Sequence, residues 1–145
     1  MQAGVIALAI KAAKAGPMEE VSSITCEAGK TLVGAAPAEP DRGITLISAQ
    51  QWAEVNQELS ADLPWHTRRA NVLLDCGSLG ELIGKTITIG QVEIAVLDET
   101  HPCGLMDKLH KGLTRALAPD HRGGVLGRIT KGGEIAVGDT LQVVA

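Results

Sequence analysis

The chain has 145 residues, a formal net charge of −4 and two Trp, but no Phe or Tyr. This length favours one domain, so we predict a single domain over residues 1–145. The acidic charge and the near absence of aromatic rings argue against nucleic acid or an anionic membrane surface as a partner.

The first half of the chain predicts several strands and one helix. Short apolar runs bounded by Gly or Pro predict strands over residues 4–10, 21–26, 44–47 and 71–75. Residues 34–43 contain several Gly, Ala and Pro residues, which predict a loop. Ser48 and Gln51 form a capping-box pattern at the start of a helix, and the helix should end before Pro64.

The second half predicts a hairpin, a helix and a β-rich end. In residues 86–89 and 92–96, large apolar side chains alternate with Thr, Glu or Ala. Gly90, between the two runs, suits a two-residue hairpin turn. Leucines four residues apart predict a helix over residues 105–117, weakened by Gly112. Closely spaced turns after residue 125 predict a meander of short strands. Roughly eight strands and two or three helices, without alternating βαβ units, predict a mainly β fold, as a curled antiparallel sheet or a closed β-barrel.

The apolar run over residues 5–10 has no Lys or Arg before it, unlike a signal peptide. No apolar stretch reaches the roughly 20 residues that a transmembrane helix needs. We therefore predict a cytoplasmic protein. The three cysteines, Cys26, Cys76 and Cys103, are widely spaced and odd in number, so neither a disulfide framework nor a zinc ribbon is indicated.

The segment His101-Pro102-Cys103-Gly104 lies between a predicted strand and a predicted helix. Pro102 favours an extended His101, and Cys103 should lie at or near the start of the helix. The N–H groups and the dipole of a helix start lower a thiol pKa, and a thiolate is both a nucleophile and a soft metal ligand. On the pattern alone, a buried structural cysteine is the more frequent alternative.

Two further segments carry arginine. In Thr67-Arg68-Arg69-Ala70-Asn71, an arginine beside hydroxyl and amide groups could hold a phosphate or carboxylate with two hydrogen bonds. Adjacent side chains point in different directions, so we expect at most one of the two arginines in a given pocket; the alternative is a solvated basic turn. In His121-Arg122-Gly123-Gly124 the glycines would let the backbone approach a ligand, although a tight turn entering a strand is favoured.

The histidines give no zinc pattern. They are scattered, without a pair at i, i+4 spacing, at His66, His101, His110 and His121. The sequence also contains no phosphate-loop or dinucleotide-binding motif.

These segments follow one another in an order that resembles a known family. Residues 63–72 resemble its Thr-Arg-Arg-x-Asn segment, and Pro102-Cys103 matches its signature cysteine. Further similar segments are Lys14-Ala15-Gly16-Pro17-Met18, Leu79-Gly80-Glu81-Leu82-Ile83-Gly84, Arg122-Gly123-Gly124-Val125 and residues 132–139. The similarity covers nearly the whole chain, which is identified as a small, stand-alone member of the MOSC domain family, whose fold is shared with the C-terminal part of molybdenum-cofactor sulfurases.

The resemblance implies a β-barrel-like fold and a role in molybdenum-cofactor or sulfur chemistry. It implies that Cys103 is the reacting thiol, and that Cys103 ligates molybdenum when the cofactor is bound. The implied contacts of the pterin phosphate are one of Arg68 or Arg69, together with Thr67 and Asn71, and more weakly Arg122.

One part of the sequence departs from the family pattern. Family members usually carry Gly-Asp-Arg after the third strand, whereas here Gly34 is followed by Ala35-Ala36. Asp41-Arg42 come several residues later, so either Arg42 takes the missing role or that part of the pocket is lost. No lysine suited to a Schiff base is evident, and pyridoxal phosphate is therefore not expected on this chain.

Three functions stay open at this point. The favoured one is a binding or carrier module, in which Cys103 carries sulfur as a persulfide or holds molybdenum cofactor, with a cysteine desulfurase or a molybdoenzyme as partner. The second is a molybdenum-cofactor-dependent reductase of N-hydroxylated compounds that uses a separate electron donor. The third is a degenerate domain that binds neither group, because the Gly-Asp-Arg motif after Gly34 is missing.

Overall fold

Ten β-strands and three short α-helices were found in a computed structural model that describes residues 1–13, 16–102 and 104–144. The strands are β1 (Gln2–Ile10), β2 (Glu19–Val21), β3 (Ser23–Cys26), β4 (Ile44–Ser48), β5 (Val72–Asp75), β6 (Thr86–Ile89), β7 (Val92–Glu99), β8 (Val125–Lys131), β9 (Gly133–Ala136) and β10 (Thr140–Val143). The helices are α1 (Ala49–Leu59), α2 (Leu105–Leu109) and α3 (Leu113–Leu117).

Seven of the strands close into a barrel. Around the barrel each strand hydrogen-bonds to the next in the order β1, β10, β6, β7, β8, β4 and β5, and β5 pairs again with β1. Every pair is antiparallel except β4 with β5. β2 pairs with β1 outside the barrel, and β3 and β9 form a separate two-stranded sheet. The predicted mainly β fold is confirmed. Of the two predicted forms, a curled antiparallel sheet and a closed β-barrel, the structure has the closed barrel.

The two faces of β4 and β5 contribute to two different hydrophobic clusters. Leu46 and Leu74 belong to the cluster that fills the barrel, whereas Ile47 and Leu73 pack outside it against the helices. The outer cluster also contains both tryptophans. Burial on both faces explains the consecutive apolar residues of these strands, Leu46-Ile47 in β4 and Val72-Leu73-Leu74 in β5.

The helix α1 begins where the sequence predicts. The Ser48 hydroxyl accepts a hydrogen bond from the backbone N–H of Gln51 at 3.1 Å and caps the first turn. The other half of the capping box does not form, because the Gln51 side chain donates to the backbone carbonyl of Asp120 at 2.7 Å. The helix ends at Leu59, before Pro64 as expected. In the described residues, no helix combines the length and the apolar character needed to cross a membrane.

The single helix predicted over residues 105–117 is wrong. Gly112 has φ 89° and divides the segment into α2 and α3, which have five residues each. The Asp107 carboxylate accepts a hydrogen bond from the backbone N–H of Thr114 at 2.8 Å, so it stabilises the start of α3. Leu113 and Leu117 are buried as the spacing predicts, but the leucines of α2 are exposed.

The hairpin between β6 and β7 is confirmed. Ile89 pairs with Val92, which leaves Gly90 and Gln91 as a two-residue turn. Gly90 has φ 58°, a conformation that glycine adopts at the first position of such turns.

The predicted C-terminal meander is wrong in its pairing. β8 lies between β7 and β4, β9 pairs with β3, and β10 lies between β6 and β1. The predicted strand over residues 21–26 is also divided, because Val21 pairs with β1 and Ser23 with β9. Turn residues predict where a strand ends, but closure of the barrel decides which partner each strand finds.

Gly124 lies directly before β8, where the backbone passes close to β4. Its substitution tests how close this approach is. Gly124 has φ 88°, and a Cβ there would collide with the carbonyl oxygen of Leu46. Gly84 has φ 87°, with open space around its Cβ position. We expect Gly84→Ala to cost only backbone strain, about 1 kcal/mol, and Gly124→Ala to cost about 2–4 kcal/mol because it adds overpacking. Urea unfolding measures both losses, and equal losses would contradict this packing.

Candidate functional site

A cleft lined by cationic side chains opens beside the end of β1. It consists of two adjoining pockets, of about 160 and 150 Å³, which share four residues. The positively charged side chains of the cleft are Lys11, Arg42, Arg68 and Arg69. Its hydroxyl side chains include Thr45 and Thr100. No Asp or Glu of the described part of the chain lines either pocket. This cationic cleft is therefore suited to an anion.

Arg68 and Arg69 both line the cationic cleft, so the expectation that only one of them would face a given pocket is wrong. Arg68 ends a short 3₁₀ helix (Trp65–Arg68), and Arg69 follows in the left-handed conformation with φ 67°. This change of backbone direction lets two successive side chains reach the same cleft. Arg69 Nη2 also donates to the carbonyl oxygen of Gly16 at 2.7 Å.

Arg68 connects two loops through a buried guanidinium. Its Nε donates to the carbonyl oxygen of Gly123 at 3.2 Å, and its Nη2 donates to that of Thr100 at 3.1 Å. A Cβ on Gly123 would collide with the Thr100 carbonyl and lie 3.4 Å from Arg68 Nη2. Gly123 is therefore glycine because it packs against Arg68 and Thr100, which favours the tight-turn interpretation over backbone contact with a ligand.

Asn71 lies in the cleft wall and holds three strands together. Its Oδ1 accepts hydrogen bonds from the backbone N–H and the hydroxyl of Thr45, both at 3.0 Å. Its Nδ2 donates to the carbonyl oxygen of Ala9 at 3.1 Å. Because these hydrogen bonds occupy its side-chain amide, the main role of Asn71 is to stabilise the fold. Thr67 is half-buried in the same segment and is not among the lining residues of the cleft.

Arg122 points to the helices. Its Nη1 donates to a carboxylate oxygen of Glu58 at 2.8 Å and to the carbonyl oxygen of Ala116 at 3.1 Å. The hydrogen bond from Arg122 holds the pKa of Glu58 below its usual range. Arg122 does not line the cationic cleft. The structure thus gives Arg122 a role in packing α1 against α3, and its contact with a ligand stays a prediction.

Cys103, the predicted reacting residue, lies outside the described residues. The elements on either side agree with the sequence prediction, because β7 ends at Glu99 and α2 begins at Leu105. However, α2 has only five residues instead of the predicted thirteen. So short a helix aligns few peptide dipoles, which weakens the argument that the helix start lowers the thiol pKa.

Two histidines lie near one carboxylate, at the end of β7. An oxygen of Glu99 is 3.8 Å from His101 Nδ1 and 3.9 Å from His121 Nε2. No pattern in the sequence predicts that these two histidines approach the same carboxylate. Over the described residues, no cluster of His, Cys, Asp and Glu has the arrangement of a metal site.

The other two cysteines are buried in the barrel core. Burial raises the pKa of the Cys26 thiol to about 12 and that of the Cys76 thiol to about 11. For Cys76 the carboxylates of Asp75 and Glu81 add to this effect. Thiols with such pKa values are almost fully protonated at neutral pH and therefore unreactive.

Sequence reasoning missed several polar residues of the cationic cleft, among them Lys11, Thr45 and Thr100. Lys11 directly follows the first apolar strand, Thr45 lies within β4, and Thr100 directly precedes His101. Polar residues at or next to strand ends are a signal that could have indicated Lys11 and Thr100. Nothing in the local sequence distinguishes Thr45 from an ordinary strand residue.

Comparison with known proteins agrees with the fold. The family model of the MOSC domain matches residues 33–142, and the chain belongs to the MOSC domain family. Among curated proteins, none matches the chain in sequence.

Solved structures provide close matches in fold. The YuaD protein of Bacillus subtilis has a TM-score of 0.84 at 16% identity, over 99% of this chain and 96% of that chain. YiiM of Geobacillus stearothermophilus has a TM-score of 0.83 at 14% identity, over 99% of this chain and 75% of that one. YiiM of Escherichia coli has a TM-score of 0.76 at 15% identity, over 100% and 70%. At these identities the similarity shows a shared fold.

The burial of Cys26 and Cys76 predicts which thiol reacts. In native protein at pH 7.5 we expect iodoacetamide to label Cys103 alone, because the other two thiols are protonated and covered. Mass spectrometry of tryptic peptides measures the labelled sites. Cys103→Ala should take up no label until the protein is unfolded in urea. Labelling of Cys26 or Cys76 in the native wild type would contradict this assignment.

Proposed function

We propose that the cationic cleft binds the phosphate of molybdenum cofactor, and that Cys103 is the thiol that acts on or ligates the bound group. One observation carries the proposal: four cationic side chains converge on one cleft whose described lining contains no carboxylate. Arginine forks match phosphate oxygens, and lysine adds a point charge. Membership of the MOSC family is the reason for choosing molybdenum cofactor among phosphate-bearing ligands.

The dimensions of the region are compatible with a ligand larger than phosphate. A third pocket, of about 470 Å³, shares Arg42 with the cationic cleft. His101 also lines this third pocket, two residues before Cys103. A ligand whose phosphate lies in the cleft would pass Arg42 to enter this third pocket, and there it would also meet the carboxylates of Asp41, Asp98 and Glu99. When bound, the cofactor would supply its molybdenum; the residues of this chain bind and orient its phosphate.

The four cations have different tasks in this proposal. Arg68 is buried and already donates to two carbonyls, so it contributes positive charge and holds the cleft wall. Arg69, Arg42 and Lys11 are less buried and are assigned the contacts to the phosphate. Arg42 lines the same pocket as the Ala35-Ala36 segment. The cleft therefore keeps an arginine despite the missing Gly-Asp-Arg, which argues against a degenerate domain.

Transport of sulfur by Cys103 is a second candidate, favoured by the burial of the other two thiols. The Cys103 thiolate would attack the outer sulfur of a donor persulfide, such as that of a cysteine desulfurase. A new sulfur–sulfur bond forms on Cys103, the sulfur–sulfur bond of the donor breaks, and the donor leaves as a thiolate.

Removing one cleft cation tests the proposal. In protein purified without oxygen from a host that makes molybdenum cofactor, we expect Arg69→Met to retain at least about tenfold less molybdenum per protein, because hydrogen bonds to charged groups contribute about 1.5–3 kcal/mol. Elemental mass spectrometry measures the ratio. The matched control is Arg115→Met, which removes an exposed arginine of α3 outside the cleft and should retain the wild-type amount. Equal retention by both variants would contradict phosphate binding in the cleft.

A further inference from the structure

Thr100 has a hydroxyl for which the described structure offers no partner. The residue is 7% exposed, and its Oγ1 is buried without a hydrogen bond. A buried hydroxyl without a partner is unfavourable, because it has lost its hydrogen bonds to water and gained none in exchange. Such groups are rare in folded proteins, and a missing ligand is one physical reason for them.

The backbone of Thr100 is fixed on both sides. Its N–H donates to the carbonyl oxygen of Gly124 at 2.9 Å, and its carbonyl oxygen accepts from Arg68 Nη2 at 3.1 Å. The residue therefore cannot turn to bring its hydroxyl to bulk water. Rotation about χ1 is the freedom that remains, and it exchanges the positions of the hydroxyl and the methyl group.

Thr100 also lines the cationic cleft, in the same pocket as Arg68 and Arg69. An anion bound in this pocket brings oxygen atoms to which a threonine hydroxyl can donate. Thr45 lines the same pocket and provides a contrast, because its hydroxyl already bonds to Asn71 Oδ1 at 3.0 Å. Of these two threonines, Thr100 is the one with an unused donor.

We propose that the Thr100 hydroxyl donates a hydrogen bond to the anion bound in the cationic cleft. The inference rests on the proposed function in so far as the cleft must bind an anion. It adds a neutral donor, placed three residues before Cys103, to the cationic contacts. The unpartnered hydroxyl lowers the stability of the unliganded protein. It gains a hydrogen-bond partner when an oxyanion such as a phosphate group binds.

This arrangement predicts opposite effects of one substitution on stability and on binding. Thr100→Val keeps the shape of the side chain and removes the hydroxyl. Without ligand we expect the melting temperature to rise by about 3 °C, because an unpartnered buried donor is removed. With inorganic phosphate as the probe, we expect about tenfold weaker binding, because a hydrogen bond to a charged group is lost.

The experiment compares wild type, Thr100→Val, Thr100→Ser and Thr45→Val. Thermal unfolding gives stability, and backbone amide NMR shifts during a phosphate titration, with chloride at equal ionic strength as reference, give the dissociation constant. Thr100→Ser keeps the hydroxyl and should bind as wild type. Thr45→Val removes a hydroxyl that has a partner, so its melting temperature should fall.

The outcomes separate the two proposals. Weaker phosphate binding by Thr100→Val with a raised melting temperature supports the role of the hydroxyl. Unchanged binding, or a lower melting temperature, overturns it while phosphate binding to the cleft stands. Absence of phosphate binding in the wild type overturns both proposals.

Discussion

The buried guanidinium of Arg68 is the contact on which the arrangement of the site depends. It joins the segment before β5 to the end of β7 and to the loop before β8, through the carbonyl oxygens of Thr100 and Gly123. A buried charge is tolerated only when hydrogen bonds replace its lost hydration, and two carbonyl groups provide part of that replacement. Together with the hydrogen bond from the Thr100 N–H to the Gly124 carbonyl oxygen, this contact holds the Thr100 end of β7 against the cleft.

Charge is distributed unevenly over the molecule. The chain carries a net charge of −4, yet four cationic residues line one cleft whose two pockets have no Asp or Glu among their described lining residues. Like charges brought together repel, and they weaken the folded state unless a counter-charge arrives. The site therefore gains most from a ligand that is itself anionic, and specificity for a phosphate follows from the charges together with the fork geometry of arginine.

The sequence predicted the class of fold and much of the site, but not the pairing or the direction of side chains. Alternation and Gly-based turns located β6 and β7, since a two-residue hairpin is a local structure. These patterns could not predict that β10 would close the barrel by pairing with β1, because pairing between strands far apart in the chain produces no pattern in the local sequence. The resemblance singled out Arg68 and Arg69, which line the cleft, and more weakly Arg122, whose side chain binds Glu58. Thr100 was missed because an unpartnered hydroxyl is visible only in three dimensions.

The central claim is that this MOSC domain binds molybdenum cofactor through its cationic cleft and Cys103. Native mass spectrometry of wild-type protein and Cys103→Ala, purified without oxygen from a host that makes the cofactor, tests it most directly. We expect the wild type to carry a mass increment equal to the cofactor, and Cys103→Ala to lose it. A wild type that carries no cofactor, or only one additional sulfur on Cys103, would contradict the claim, and the second result would favour transport of sulfur instead.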